Sequence, residues 1–362
     1  MSSHIIIGGG VIGLLCARAL SLEGHKVLLL EQDSATGHQA SWAGGGIGAP
    51  VRPWELPEVA TVMCQRGAEL YTKLAEELLQ ETGYDIEWWQ SGLLVFECTE
   101  QEQAIAWAKQ HQLPLEILTA AQVKKLAPHV NCTADDNLWM PSIAQVRNPR
   151  LLKALYASLQ KNKVEIKTNC AVTGFLQQGD AVTGVQTTQG TFTADNVIIT
   201  AGAWTADLLA KLGLVAPIFP VRGQILLWQL TENLLSTIIS AGEHYLIPRQ
   251  DKYILAGGTT EQVGFDDSTT PEAYDDIYAY AIKLLPELKD QPVVKHWAGL
   301  RPGSADGIPY VGAIPGIKNL WINAGHYRNG LNMAPAATEL LMDLMFGRKP
   351  ILSSEPYQWK LK

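Results

Sequence analysis

Residues 4–13 read His-Ile-Ile-Ile-Gly-Gly-Gly-Val-Ile-Gly, an apolar run broken by a glycine cluster, and this stretch decides the fold. Residues 4–7 suit a buried strand, residues 14–23 repeat apolar side chains at helical spacing, and residues 26–31 return to a strand that ends in Glu31. Strand, glycine turn, helix and strand in that order make a βαβ unit. Gly8 permits the tight turn, Gly10 lets the main chain approach a pyrophosphate, and Gly13 brings helix and strand together, the GxGxxG pattern of dinucleotide sites. Val11 and Ile12 open the helix, whose N–H groups and positive dipole end favour a phosphate. Glu31, with Gln32 beside it, stands where ribose hydroxyls would be taken. A dinucleotide is the expected ligand, with an unliganded glycine turn as the plain alternative.

The rest of the chain is compatible with that beginning. Its 362 residues suggest two domains, and 47% hydrophobic against 18% charged residues excludes a disordered or fibrous chain. A net charge of -8 disfavours a polyphosphate partner, so no nucleic acid is expected. Five scattered cysteines without CxxC or Cys/His spacing predict neither disulfides nor a metal centre and fit a reducing cytoplasm. The opening MSSHIII lacks the features of a secretion signal, and no apolar run is long enough for a membrane span.

Beyond the first unit the pattern predicts helices over 56–81, 100–111 and 119–126, and a helix to about 162 capped by Asn148 with Pro149 in its first turn. Short strands punctuated at Gly179-Asp180 and Gly190 then lead to a buried strand over 196–200. Residues 221–258 alternate as strands with a hairpin tip at Gln250-Asp251, 271–285 is helical, and a strand over 320–323 leads through a glycine loop into a last helix. The expected class is α/β, a Rossmann domain assembled from 1–50, 146–220 and 301–362. It interleaves with an α+β domain of 51–145 and 221–300 built on a largely antiparallel sheet.

A second glycine-rich run, Gln39-Ala40-Ser41-Trp42-Ala43-Gly44-Gly45-Gly46, favours a flavin over a nicotinamide, because an isoalloxazine ring needs close main-chain contact away from the first loop. A flexible surface loop is the other reading of it. Four blocks now carry a resemblance: IIIGGGVIG with Glu31, ASWAGGG, GLRPGSADGIPYVG from Gly299 and NAGHYRNGLNMAP from Asn323. Together they resemble the D-amino-acid oxidase and glycine oxidase family of FAD-dependent amine oxidases. The resemblance implies a glutathione-reductase-like FAD domain, with Val172 against the adenine and Ala201-Gly202 near the phosphates. It also implies that Arg301 and Tyr245 hold the substrate carboxylate and that Arg328 reaches the active site.

Each implied role has a plainer counterpart: Arg301 as a salt-bridge arginine, Tyr245 as a strand aromatic, Arg328 as an anchor of its own loop. His326, Tyr327, Arg328, Asn329, Gly330 and Leu331 form the turn into the last helix, whose N-terminus would face a reduced flavin; Gly330 is otherwise a turn glycine. No side-chain base is required, and His244, His296 and His326 read as packing residues. Residues 295–312 contain no cysteine, so FAD is expected to be non-covalent. Trp42 and Gly46 depart from the glycine oxidase pattern, which leaves the substrate side chain open.

The expected activity is oxidation of glycine, sarcosine or small D-amino acids, primary or secondary amines, to imino acid and hydrogen peroxide with molecular oxygen. The alternatives are a D-amino-acid dehydrogenase that reduces quinone and a tRNA-modifying flavoenzyme that removes a carboxymethylamino group. The sequence leaves a homo-oligomer open.

Overall fold

Two large sheets divide the chain, and the apolar run at its start forms the middle of the first. In the computed structural model, which describes residues 2–96 and 98–359, strand Ser3–Ile7 lies between Asn196–Ile199 and Lys26–Leu30, parallel to both. Met1, Glu97 and residues 360–362, counted above within the expected domains, lie outside the described residues. Glu165–Lys167 and Leu320–Ala324 extend the parallel set, and Tyr310–Ala313 adds an antiparallel edge. Ile5, Ile6, Val197, Ile198 and Ile199 are at most 1% exposed, which explains the continuous apolar runs: both faces of this sheet are covered.

Helices Val11–Leu22, Asn148–Lys161 and Gly330–Met345 cover one face, meeting in a core of Leu14, Leu20, Leu151, Leu155, Ala337 and Leu341. The expected helix cap is a correction. Asn148 is the first helical residue, Arg147 stands at the cap position, and the Asn148 amide turns away to bind carbonyls of the second glycine loop. The expected strands around Gly179-Asp180 form a three-stranded antiparallel meander, Val172–Gln178, Ala181–Thr187 and Gly190–Thr193.

The second sheet has eight strands, antiparallel except where Ile238–Ala241 runs parallel to Leu93–Phe96. Its long ribbon pairs Ile218–Gln229 with Val293–Ser304, and the hairpin of His244–Pro248 with Tyr253–Gly257 turns at Gln250-Asp251 as expected. Leu93–Phe96 and Asn137–Met140, two strands near its other edge, have no counterpart in the sequence reading, which marks only helices between 56 and 126. Apolar runs of three or four residues do not distinguish a strand from a buried turn of helix.

We propose the expected domain division with two qualifications. The boundaries at 220/221 and 300/301 cut through the two strands of the long ribbon, and helix Glu58–Thr82 sends Met63, Tyr71 and Leu78 into the core of the first domain. Gly67 allows that crossing, since a Cβ there would lie 2.0 Å from the Asn332 carbonyl oxygen.

Candidate active site

A cleft of about 620 Å³ opens where the two sheets meet. At its first-sheet end the glycine loop has the geometry its spacing implies. Gly8 has φ +109°, in the region that favours glycine, and a Cβ on Gly13 would come within 1.9 Å of the Gly8 carbonyl oxygen. Helix Val11–Leu22 begins after Gly10 with no side-chain cap. Glu31 is 7% exposed, and its carboxylate accepts the Gly9 N–H at 2.8 Å and the Asp33 N–H at 2.9 Å. Burial raises its pKa in opposition to those two bonds. Glu31 therefore ties the glycine loop to the end of the second strand as well as facing the cleft. Gln32, Val172, Ala201 and Gly202 line the same end.

The second glycine loop is no free surface loop. Asn148 Nδ2 donates to the carbonyls of Ser41 (3.1 Å) and Gly44 (2.6 Å), Trp297 Nε1 to Ala43 (3.0 Å), Arg249 to Gly45 (2.7 Å) and the Val146 N–H to Gly46 (2.8 Å). Gln39 is held through Asp33, and the Ser41 hydroxyl accepts the Val11 N–H. Gly45 and Gly46 leave no room for side chains: a Cβ would lie 2.6 Å from Ile247 Cδ1 at the first and 2.2 Å from the Val146 carbonyl oxygen at the second. Gln39, Ala40, Ser41, Gly44, Gly45 and Gly46 all line the cleft, whereas Trp42 packs against Trp297.

At the other end, neighbouring positions of the long ribbon carry two arginines in opposite states. Arg222 is 4% exposed and caged by Glu261 (2.6 Å) and Asp266 (2.7 Å). Arg301, which faces the cleft, donates to the carbonyls of Thr259 (2.9 Å) and Arg222 (3.3 Å) and interacts with the Tyr245 hydroxyl, all of them neutral groups. Among the described residues no carboxylate pairs with Arg301, so the salt-bridge reading finds no partner and the charge is left for something in the cleft. Glycines frame its head. A Cβ on Gly223 would lie 2.2 Å from the guanidinium, and one on Gly258 would lie 3.2 Å from both Arg301 and the Tyr245 hydroxyl. Burial raises the Tyr245 pKa against the pull of Arg301, Arg249 and Arg328, so the hydroxyl stays neutral and can donate.

Arg328 is exposed at the cleft wall and donates to Thr260 Oγ1 at 3.0 Å, which ties the turn before the last helix to the loop after Gly258. Tyr327 beside it has φ +50°. His326 is 2% exposed, and burial lowers its pKa to about 3, so it is neutral and not poised to exchange protons near neutrality. His326, Asn329, Gly330 and Leu331 line the cleft, while His244 pairs with Asp276 and is not part of the wall. Of the residues expected from sequence to hold cofactor or substrate, Gly13 alone stands off the wall, where it joins helix to strand. Thr260, Gly223, Gly258, Asn148 and Arg249 were missed; each acts through a tertiary neighbour that no local pattern announces.

The wall fits FAD on three counts: the glycine turn that a Cβ would fill, a helix N-terminus at Gly10 that lines the cleft with no cap from its own N-cap residue, and two buried acceptor or donor atoms in the wall, Asn323 Oδ1 and His326 Nε2, without partners among the described residues.

Comparison with known proteins agrees. The family model described as DAO, FAD dependent oxidoreductase, matches residues 3–344. A glycine oxidase of Pseudomonas aeruginosa is 44% identical, with 98% of this chain and 97% of that protein covered. A Pseudomonas putida glycine oxidase is 42% identical over the same shares. Among solved structures, glycine oxidase from Geobacillus kaustophilus superposes with a TM-score of 0.93 at 27% identity over the whole of both chains.

Proposed function

Because the chain belongs to the DAO family of FAD-dependent oxidoreductases, we propose that it is a glycine-oxidase-like enzyme that oxidises glycine, sarcosine or a small D-amino acid using non-covalent FAD. The observation that carries this reading is an uncaged Arg301, with the Tyr245 hydroxyl beside it, in the same cleft as the glycine loop. When bound, FAD accepts the hydride that leaves the substrate Cα.

Arg301 takes the substrate carboxylate, and the neutral Tyr245 hydroxyl donates to the same group, which fixes the Cα–H bond in one orientation. No side-chain base is needed. As Cα–H breaks, the lone pair of the uncharged amine forms C=N, and water later cleaves the imino acid to the oxo acid and the amine, which is ammonia from a primary amino acid and methylamine from sarcosine. Gly8, Gly10, Val11, Ile12 and Gly13 form the pyrophosphate turn, Glu31 and Gln32 take the ribose, Val172 meets the adenine, and Ala201-Gly202 approach the phosphates. Residues 39–46 and 326–331 hold the ring, and Arg328 closes the rim through Thr260. Molecular oxygen is the proposed acceptor, two electrons and two protons giving hydrogen peroxide, and the cytoplasm the proposed compartment. No helix among the described residues is long and apolar enough to cross a membrane.

The test is to mix the purified yellow protein anaerobically with a panel of amino acids, then admit air. Bleaching by glycine, sarcosine or a small D-amino acid, with colour and one peroxide per substrate returning in air, is expected. Bleaching that only a quinone reverses would assign a dehydrogenase, and no bleaching by any amino acid would overturn the reading.

A further inference from the structure

Arg249 follows the strand that carries Tyr245 and is 5% exposed. Its guanidinium donates to three neutral oxygens: Gln145 Oε1 at 2.8 Å, the Val146 carbonyl at 3.1 Å and the Gly45 carbonyl at 2.7 Å. Its Nε has no partner among the described residues. The nearby carboxylates belong to other arginines. Glu87 pairs with Arg150 at 2.7 Å and Arg147 at 3.4 Å, and Asp251 with Arg147 at 2.6 Å. Three guanidiniums therefore stand against two carboxylates, and the surplus cation is the one buried behind the second glycine loop.

Burying a cation without a counter-ion is costly, and Arg222, equally buried, shows the usual remedy in its two carboxylates. Gly45 lines the cleft and Arg249 does not, so the cation sits one peptide group behind the wall. We infer that Arg249 is a positioning residue that fixes Gly45 from behind and, as an uncompensated buried cation, stabilises negative charge on the flavin held against that loop. Three neutral acceptors retain the field that a carboxylate would cancel. Burial, with repulsion from Arg147, lowers the Arg249 pKa to about 9, which still leaves it charged near neutral pH. The Tyr245 hydroxyl feels the same charge.

The inference rests on the reading that this cleft binds FAD, and the experiment separates the two. The holoenzyme is titrated with sulfite, which adds to oxidised flavin and leaves it negatively charged, and the flavin midpoint potential is measured. Gln145→Glu places a carboxylate on Arg249 and keeps the bond that Arg249 donates, while the Ser91 hydroxyl, which accepts from Gln145 Nε2 at 3.0 Å, has to turn and donate instead. The variant should remain yellow, with sulfite affinity weakened about tenfold or more. A tenfold loss corresponds to a potential lower by about 30 mV for the two-electron couple. Arg249→Lys, which keeps the charge and loses the fork, should stay within about threefold of wild type in sulfite affinity while binding FAD less tightly. Arg249→Met should match Gln145→Glu where it folds. A wild-type protein that binds no flavin would sink the FAD reading itself. Yellow Gln145→Glu protein with unchanged sulfite affinity and potential, or Arg249→Lys as impaired in both as Gln145→Glu, would overturn the electrostatic role.

Discussion

The two ends of the cleft are made of different material. At the first-sheet end the wall is main chain: a glycine turn, a helix start and carbonyls pinned from behind, so that its selectivity comes from the absence of side chains. At the second-sheet end the wall is side chain, with Arg301, Tyr245 and Arg328 brought from three separate segments and glycines serving only to make room for their heads. Main-chain sites are tightly specified and intolerant, which suits an invariant cofactor. Side-chain sites are adjustable, which suits a substrate.

The largest effect should fall on the main-chain end. Gly13→Val drives a Cβ toward the Gly8 carbonyl oxygen, and overpacking of that kind costs about 3 kcal/mol, so denaturation should show a destabilised protein that no longer holds FAD. Gly10→Ala sharpens the point. Its Cβ meets only the Ser41 hydroxyl at 3.2 Å, so the fold should survive while flavin affinity drops; equal losses in both variants would mean that Gly10 is merely structural.

At the side-chain end, Arg301→Ala should stay yellow and lose about 2–5 kcal/mol of transition-state stabilisation toward amino acids, at least about thirtyfold in kcat/KM. Amines without a carboxylate should be far less affected, and a uniform loss would assign Arg301 a purely structural role.

Between the two ends lies His326, with a folded pKa of about 3 set by burial. Because that value lies below the unfolded one, the unfolded chain binds more protons between pH 6.5 and 3. The stability it contributes is complete above the unfolded pKa and is lost as pH falls toward the folded one. Between pH 7 and 5 its share is about 2 kcal/mol. Denaturation curves of His326→Asn should show a pH dependence reduced by that amount, and an unchanged dependence would mean that His326 is charged in the folded protein. The smallest change is expected for Tyr245→Phe, about 1 kcal/mol in kcat/KM, since Arg301 would still hold the carboxylate.

The same contrast explains what could be read from the sequence. Gly8, Gly10, Gly13 and Glu31 announce themselves because main-chain geometry imposes a spacing on consecutive residues. Arg301, Tyr245 and Arg328 carry no such local rule and emerged through resemblance. Asn148 was misread for a physical reason: Asn-Pro at a helix start is a capping signature, yet tertiary acceptors at Ser41 and Gly44 took its side chain. Thr260, Arg249 and strands Leu93–Phe96 and Asn137–Met140 depend on partners far along the chain, which local pattern does not contain.

The division of labour within the cleft can be tested directly with acetate, a carboxylate with no amine to oxidise. It is titrated into yellow wild-type and Arg301→Ala protein while the flavin spectrum is followed, and FAD affinity is measured on the same samples. Wild type should bind acetate with a spectral shift, whereas Arg301→Ala should lose that binding and retain FAD with unchanged affinity. Acetate binding that survives the substitution, or FAD affinity that falls with it, would show that Arg301 does not hold the carboxylate or that the two ends of the cleft do not act separately.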